Sequence, residues 1–514
     1  MPAPLALRIG LPFAVFIAAV ALAAMYHPFD LMEGGDSALY DYMSQCIVRG
    51  QLPYRDAIDG KAPGSLYLSA LAMVIGKAFG VDTVNSVRAL FVLLVGVLSV
   101  VIYLVTEAYL QNRIAAVLAC LIPLLAPELV VMMISGTRPK VPMIICGMLT
   151  LLLIARERPF WAGFCSMLAY LFWQPGLMFT GTALLIFSRY LTSWRDRRAL
   201  KVLLGAAVPL AVMLIYFAAR GALADLWRWT ITYNYAVYFP EGREPVSVAL
   251  QRLWFLIKQV TDGQMVWVKL SIIGLVGYAA QCVIARVKKS SPDTSGYKEA
   301  LLMPPVIFFG FCIINYPGAD GLIVLLPFVG IFAAFVFAAM YQALTDWSFI
   351  KRRVALAHLT VVVLAVPLAV IGFNAIKRAR SFHIEEGRTL SDQRREFQQI
   401  AERLGPNDRM YVHGALEILV LLNRPNLNPY VFLDRGKDRF LSTYIEGGFD
   451  TVLAEMKSAA PRIIALTRLQ NVTYRDALLD WAASQYERLP LDFAHNAVYV
   501  IKATKATTED ASSR

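Results

Sequence analysis

Gly34-Gly35-Asp36-Ser37-Ala38-Leu39-Tyr40, then Gly50-Gln51-Leu52-Pro53-Tyr54-Arg55-Asp56, then Asp59-Gly60-Lys61-Ala62-Pro63-Gly64 form the stretch on which the reading of this chain turns. It follows the first apolar run, residues 7–25, and precedes a long series of further apolar runs. Hydrocarbon penalises charge. An aspartate and a lysine kept at the membrane edge are therefore poorly explained by packing and invite a functional reading.

The surroundings confirm the setting. The chain has 514 residues, 58% of them hydrophobic, with only 17% charged and a mean hydropathy of +0.54. Soluble domains sit nearer half apolar, so the composition is that of a membrane protein. The formal net charge is +12. Such an excess fits either nucleic acid or basic cytoplasmic loops facing anionic lipid, and the positions of the basic residues decide.

After residues 7–25, apolar runs of spanning length lie near 87–108, 113–130, 139–155, 159–175, 176–192, 201–219, 266–285, 300–315, 320–343 and 354–376. This predicts a polytopic α-helical membrane protein of about eleven spans. The first run, flanked by Arg8 and without a small-residue cleavage site, reads as an uncleaved anchor. Segment 62–80 is apolar but holds Pro63, Gly64 and Lys77. If it lies on the outer surface and the N-terminus is inside, Arg195 to Arg198, Arg286 with Lys288-Lys289, and Lys351 to Arg353 all fall in the cytoplasm. If it spans, all of them face out. The expectation is thus a long outer loop, 27–85, with surface-lying amphipathic helices, and no nucleic-acid partner. Two other outward segments follow. One is 131–138, and the other is 220–265, whose Trp227, Trp229, Tyr233, Tyr235, Tyr238 and Phe239 suit a membrane interface.

The character changes after Lys377. Residues 385–404 read as a polar helix with Ser391 as an internal N-cap. Strand-like runs follow at 410–412, 430–433, 462–466 and 497–501, with helical patterns at 449–458 and 474–484. The alternation predicts an α/β domain, 377–514, on the outer side of a transmembrane domain, 1–376. Five of the six cysteines lie in apolar runs, no CxxC pair occurs, and the five histidines are scattered without HExxH spacing. Neither a disulfide framework nor a preformed metal cage is expected.

Two roles fit each candidate residue. Asp36 stands before an amphipathic helical pattern from Ser37 to Arg49, so it is placed to cap a helix or to act as a base. Lys61 suits either snorkelling at the headgroups or binding phosphate. Arg138 and Lys140 flank Pro139 as interfacial anchors or as a second phosphate clamp. Arg55, Asp56 and Asp59 read as solvated loop charges or substrate contacts, and Glu128 is a weaker second carboxylate. Gln174-Pro175-Gly176 is a tight turn whose glutamine can face solvent or a cavity.

One span, Gly-Asp-x-x-x-Tyr, Gly-x-Leu-Pro-Tyr-Arg-Asp, Asp-x-Lys-x-Pro-Gly, many spans and an outer domain: this order resembles the GT-C glycosyltransferases of the protein-mannosyltransferase and aminoarabinose-transferase type, glycosyltransferase families 39 and 83. The sharp motifs lie in residues 34–67. Many members have Asp-Glu where this chain has Asp36-Ser37, and Lys-Pro-Pro where it has Lys61-Ala62-Pro63. The resemblance implies that Asp36 is the catalytic base and that Lys61 contacts the donor phosphate; Arg138 and Lys140, from their place in the next outward loop, are candidates for the same phosphate. Tyr40, Tyr54, Arg55, Asp59, Glu128, Gln174, Tyr235 and Arg243 are further candidates for substrate contact.

The implied enzyme is an inverting hexosyl- or pentosyltransferase. It moves a sugar from a polyprenyl-phosphate donor to a hydroxyl of a lipid, glycan or protein acceptor, in lipopolysaccharide or cell-wall modification. It is placed in the bacterial inner membrane, N-terminus cytoplasmic and C-terminal domain periplasmic. No cofactor is expected, and a divalent metal is not indicated. The rivals are a transporter or flippase of lipid-linked sugars and a polysaccharide polymerase or ligase. Against transport, the chain shows no pair of symmetric hydrophobic halves.

Overall fold

Long apolar runs have one way to satisfy their backbone in hydrocarbon, which is to be helical. The structure, a computed structural model, describes residues 5–189, 197–241, 243–261, 265–287, 296–315, 318–346, 388–494 and 497–502, with isolated positions between 366 and 377. The chain divides into two compact units, each discontinuous in sequence. The first comprises Met1–Met32, Lys61–Ala224 and Gly242–Thr389, and the second Glu33–Gly60, Asp225–Glu241 and Leu390–Arg514.

The first unit is a helical bundle. Among the described residues, five helices are long and apolar enough to cross a membrane: Thr83–Leu110, Arg198–Ala219, Met265–Val287, Tyr297–Ile314 and Ala319–Ala343. Ile9–Ala24, Gly64–Ala78, Lys140–Ala155 and Pro159–Phe172 are shorter apolar helices. The expected span 354–376 and the boundary at 376/377 fall almost wholly outside the described residues.

Local chemistry sets the ends. The Asp82 carboxylate accepts from the amides of Val84 and Asn85, both at 3.1 Å, and starts the helix Thr83–Leu110. Bundle helices approach closely where glycine permits. A Cβ on Gly163 would lie 1.9 Å from the Val202 carbonyl oxygen, and one on Gly205 1.9 Å from that of Phe160. Val212, Ile215, Ile273 and Val276 are exposed apolar side chains on spanning helices, as a lipid-facing surface requires. The protein is a multi-pass membrane protein.

One expected span is different from its reading. Residues 113–130 are not one straight helix: Arg113–Leu125 and Pro127–Ile134 meet at a bend of 81°. Pro123 lies in the 3₁₀ turn Ile122–Leu125 and Pro127 opens the next helix, so neither supplies the amide that a continuous helix needs. The helix Pro127–Ile134 also takes in much of the segment 131–138, expected to be a loop. Gly64–Ala78 is helical but, at 15 residues, spans only about 22 Å.

The second unit holds a four-stranded sheet: β1 (Met410–His413), β2 (Ile463–Leu466), β3 (Tyr486–Leu489) and β4 (Val498–Ile501), in the order β1-β2-β4-β3. β1 and β2 are parallel and the other pairs antiparallel. Helices Gly448–Ala459 and Arg475–Gln485 fall where the pattern placed them, so the expected α/β character is borne out.

Three local readings are corrected. Residues 430–433 form no strand, because the Tyr430 amide goes to Asn428 Oδ1 at 3.0 Å and the Leu433 amide to His413 Nε2 at 2.9 Å, leaving no ladder. Ser391 sits inside the first turn of the helix Leu390–Ala401, not at an internal cap. In the aromatic stretch, Trp229 and Tyr233 are buried, packing on Phe440 at 5.5 Å each, while Trp227 and Tyr235 are exposed. Two of its six aromatics are therefore core of the second unit and not a membrane belt.

Candidate functional site

Asp36 belongs to the second unit. Its helix runs Gly35–Val48 with Gly34 as N-cap, and the cap makes no side-chain hydrogen bond. The expected capping role is thus corrected: Asp36 lies in the first turn. Gly35 has φ +62°, a left-handed backbone that favours glycine at the turn into the helix. A carboxylate in the first turn is favoured by the helix dipole without being consumed as a cap. Asp36 is half-buried, and its charge acts on Tyr238 and Arg435.

Those two residues are themselves joined. Arg435 Nη1 donates to the Tyr238 hydroxyl at 2.8 Å. Burial raises the Tyr238 hydroxyl; Arg435 and Lys437 pull it back, and Asp59 and Asp36 push it up, with a net rise. The phenol stays protonated and keeps its hydrogen to donate. Arg435 holds a left-handed backbone, φ +54°, as does Tyr54, φ +72°. Such strain in bulky residues persists only where the surroundings over-determine it, and it gathers at functional sites. The segment carrying Tyr238 includes two π-helical turns, Arg228–Thr232 and Asn234–Tyr238, another feature concentrated at such sites.

The cations gather in the first unit. Lys140, at the start of the helix Lys140–Ala155, is buried, pairs with Asp320 and sits 4.9 Å from the centre of the Trp173 ring. Lys61 and Arg138 also act on the Asp320 carboxylate. Arg138 is anchored to the end of the helix Pro127–Ile134, donating from Nε to the Met132 carbonyl at 2.8 Å and from Nη2 to Ser135 Oγ at 3.4 Å. The three basic residues singled out in the sequence thus share one neighbourhood. Asp320 lies on the 3₁₀ helix Ala319–Leu325, whose Leu322 and Leu325 line a cavity of 380 Å³. Leu129, Trp267, Pro305 and Phe332 are also on its wall, and the surface is almost wholly apolar.

The other candidates scatter. Tyr40 and Tyr54 are buried, and Asp59 is buried with its charge felt by Tyr233 and Tyr238. Arg55 pairs with Asp225 at 3.4 Å on the surface. Glu128 is in the first turn of the helix Pro127–Ile134, and Gln174 opens a 3₁₀ turn. Tyr235 is exposed against Phe239, and Arg243 is exposed.

Sequence reasoning missed Glu33, Asp41, Arg435 and Asp320. Glu33 is tied to Gln393 by two backbone hydrogen bonds of 2.9 Å, and Asp41 is fully buried in the Asp36 helix. Asp320 had a readable signal, a single acid at the head of an apolar run. Among the described residues no cluster of three or more His, Cys, Asp or Glu is placed to hold a metal ion.

The whole-chain comparison is decisive for architecture. Over 98% of this chain and 99% of the other, it superposes on ArnT from Cupriavidus metallidurans bound to undecaprenyl phosphate, with a TM-score of 0.63 at 13% identity.

The fold is GT-C.

The archaeal oligosaccharyltransferase AglB from Archaeoglobus fulgidus, solved with an inhibitory peptide and a dolichol-phosphate, matches with a TM-score of 0.56 at 10% identity. That match covers 97% of this chain and 75% of AglB. Apo ArnT matches with a TM-score of 0.57 at 13% identity, over 95% of this chain and 97% of the other. The sequence matches no protein-family model and no curated protein. The GT-C architecture expected from the order of motifs and spans is therefore borne out at a level of identity where only the fold carries over.

Proposed function

We propose that the protein is a GT-C glycosyltransferase of the bacterial inner membrane. It transfers a hexosyl or pentosyl group from a polyprenyl phosphate to a hydroxyl of a lipid, glycan or protein at the periplasmic face. The observation that carries this reading is the cation cluster of Lys61, Arg138 and Lys140 beside an apolar cavity, within a fold shared with two proteins solved with a polyprenyl-type phosphate. A lipid-linked phosphate needs both features, positive charge for its head and an apolar groove for its tail.

The acceptor oxygen attacks the anomeric carbon while the bond from that carbon to the phosphate oxygen breaks. The acceptor proton passes to the Asp36 carboxylate, which acts as general base. The leaving group departs as polyprenyl phosphate, whose growing charge Lys61 and Arg138 stabilise, so no general acid is needed. A single displacement inverts the anomeric centre. Arg435 and the Tyr238 hydroxyl orient the base, and Lys140 serves mainly to hold Asp320.

The test uses membranes containing the full chain, supplied with labelled undecaprenyl-phosphate sugars and an envelope extract as acceptor. Undecaprenyl phosphate is expected to appear only when the extract is present. Mass spectrometry of lipids and glycans, with and without the gene, then identifies sugar and acceptor. Release without acceptor, or wild-type rates in Asp36→Asn, refutes the reading.

A further inference from the structure

In the proposed transfer step the Lys140–Asp320 pair takes no proton and forms no bond. Lys140 is 3% exposed and Asp320 17%. Two ions taken out of water lose their hydration, and apolar residues of similar volume often serve stability as well or better. Lys140 already has the face of Trp173. Asp320 is the point on which three cations act, Lys140 by direct contact and Lys61 and Arg138 through space. Carboxylate and phosphate are ligands for the same donors, so the two compete.

We propose that Asp320 is an internal counter-anion, a positioning residue that holds this cation cluster in order and weakens its grip on the released polyprenyl phosphate. This rests on the reading that Lys61 and Arg138 take the lipid phosphate. The chemistry supplies the need. Transfer turns a phosphodiester bearing one negative charge into a monoester bearing up to two at neutral pH. Cations adequate for the donor therefore hold the product more tightly, and product release is rate-limiting in many enzymes. A fixed carboxylate among the cations offsets part of that added attraction. It stands on the 3₁₀ helix whose Leu322 and Leu325 wall the apolar cavity, where head and tail of one lipid would meet the same element.

The experiment measures binding of undecaprenyl phosphate to the full chain in nanodiscs. Wild type is compared with Lys61→Ala, Asp320→Asn, Lys140→Met and the Lys140→Met/Asp320→Asn double variant. Lys61→Ala is expected to weaken binding. Asp320→Asn is expected to tighten it about tenfold, the order of one partly screened charge at this range, and Lys140→Met to weaken it. Opposite signs from the two partners of one ion pair distinguish this role from a structural one, since lost stability moves both the same way. Should Asp320→Asn fail to fold, the double variant leaves no buried charge unpaired and is expected to bind more tightly than Lys140→Met alone. Unchanged or weaker binding on loss of Asp320, with Lys61→Ala weakened, overturns the counter-anion and leaves the transferase reading intact. Binding indifferent to Lys61 overturns both.

Discussion

The two compact units bury charge of opposite sign. Among the described residues, the charged side chains buried in the first unit are cations, Arg88 and Lys140. In the second they are mostly acids: Glu33, Asp41, Asp59, Glu417 and Asp438, with Lys437 the exception. Buried charge is costly, so each of these groups needs a partner. Both buried cations of the bundle are taken up internally, Arg88 by four carbonyls and Lys140 by Asp320, so in the proposed reading the lipid phosphate falls to the half-buried Lys61 and Arg138. In the same reading the acceptor proton falls to Asp36, in the first turn of a helix of the acid-rich unit.

The sharpest way to break this comparison is to neutralise one residue on each side. Asp36→Asn keeps shape and removes the base, so the transfer rate is expected to fall by about 10²–10⁴. Lys61→Met is expected to act differently, raising the donor KM about tenfold by loss of one charged hydrogen bond. Steady-state kinetics with varied donor separates the two. If both variants lose only donor affinity, the division between a proton-taking unit and a phosphate-holding one fails.

A second test concerns stability of the first unit. Arg88 is fully buried and donates to the carbonyls of Pro28 at 3.1 Å, Leu31 at 2.6 Å, Met32 at 3.2 Å and Ser135 at 3.3 Å. A planar fork meets four carbonyls in a way that an ammonium does not. Arg88→Met is expected to cost about 3 kcal/mol, and Arg88→Lys to recover little of it. Thermal unfolding in detergent reads the loss. A melting point within a degree of wild type would show that this cation is not what ties the two loops down.

How far the sequence could be read follows from the range of the interactions involved. Apolar runs and the Gly-Asp and Lys-x-Pro motifs are local, and they led to the polytopic GT-C architecture and to Lys61, Arg138 and Lys140 as a group. Asp320 pairs with Lys140 across 180 positions, a distance no local pattern encodes. Residues 430–433 have the composition of a strand, but His413 and Asn428 take amides that a ladder would need. Arg435 gains its meaning only through Tyr238, which is 197 positions away. The 81° bend at Pro123 and Pro127 was written in the prolines, yet the hydropathy of 113–130 hid it.

The smallest expected effect is a near-cancellation of pH dependence at β1, where two buried groups of the second unit, His413 and Glu417, oppose each other. His413 is fully enclosed: its Nδ1 lies 2.8 Å from the Thr467 carbonyl, and its Nε2 accepts the Leu433 amide at 2.9 Å. Both ring nitrogens are satisfied in the neutral form, and burial pushes the imidazole down from 6.5 to about 4. Its contribution to stability is full above pH 6.5 and is lost as pH falls towards 4. Burial pushes Glu417 the other way, from 4.5 up to about 7, despite the pull of its own backbone and of Arg468. Its contribution is full below pH 4.5 and is lost as pH rises towards 7. Between pH 4.5 and 6.5 the slopes oppose, each limited to about 1.4 kcal/mol per pH unit, so the net contribution of these two groups changes by no more than about 1 kcal/mol. Hydrogen-exchange protection of β1 in the full chain, corrected for intrinsic rates, measures it. Glu417→Gln removes one slope, and protection of β1 is then expected to fall as the pH is lowered from 6.5 to 4.5. The helix Thr83–Leu110, whose buried face holds no carboxyl or imidazole, serves as the internal control and is expected to stay level in both proteins. A steep wild-type slope in β1, or none in Glu417→Gln, would mean that these buried groups do not set the proton balance of the acid-rich unit.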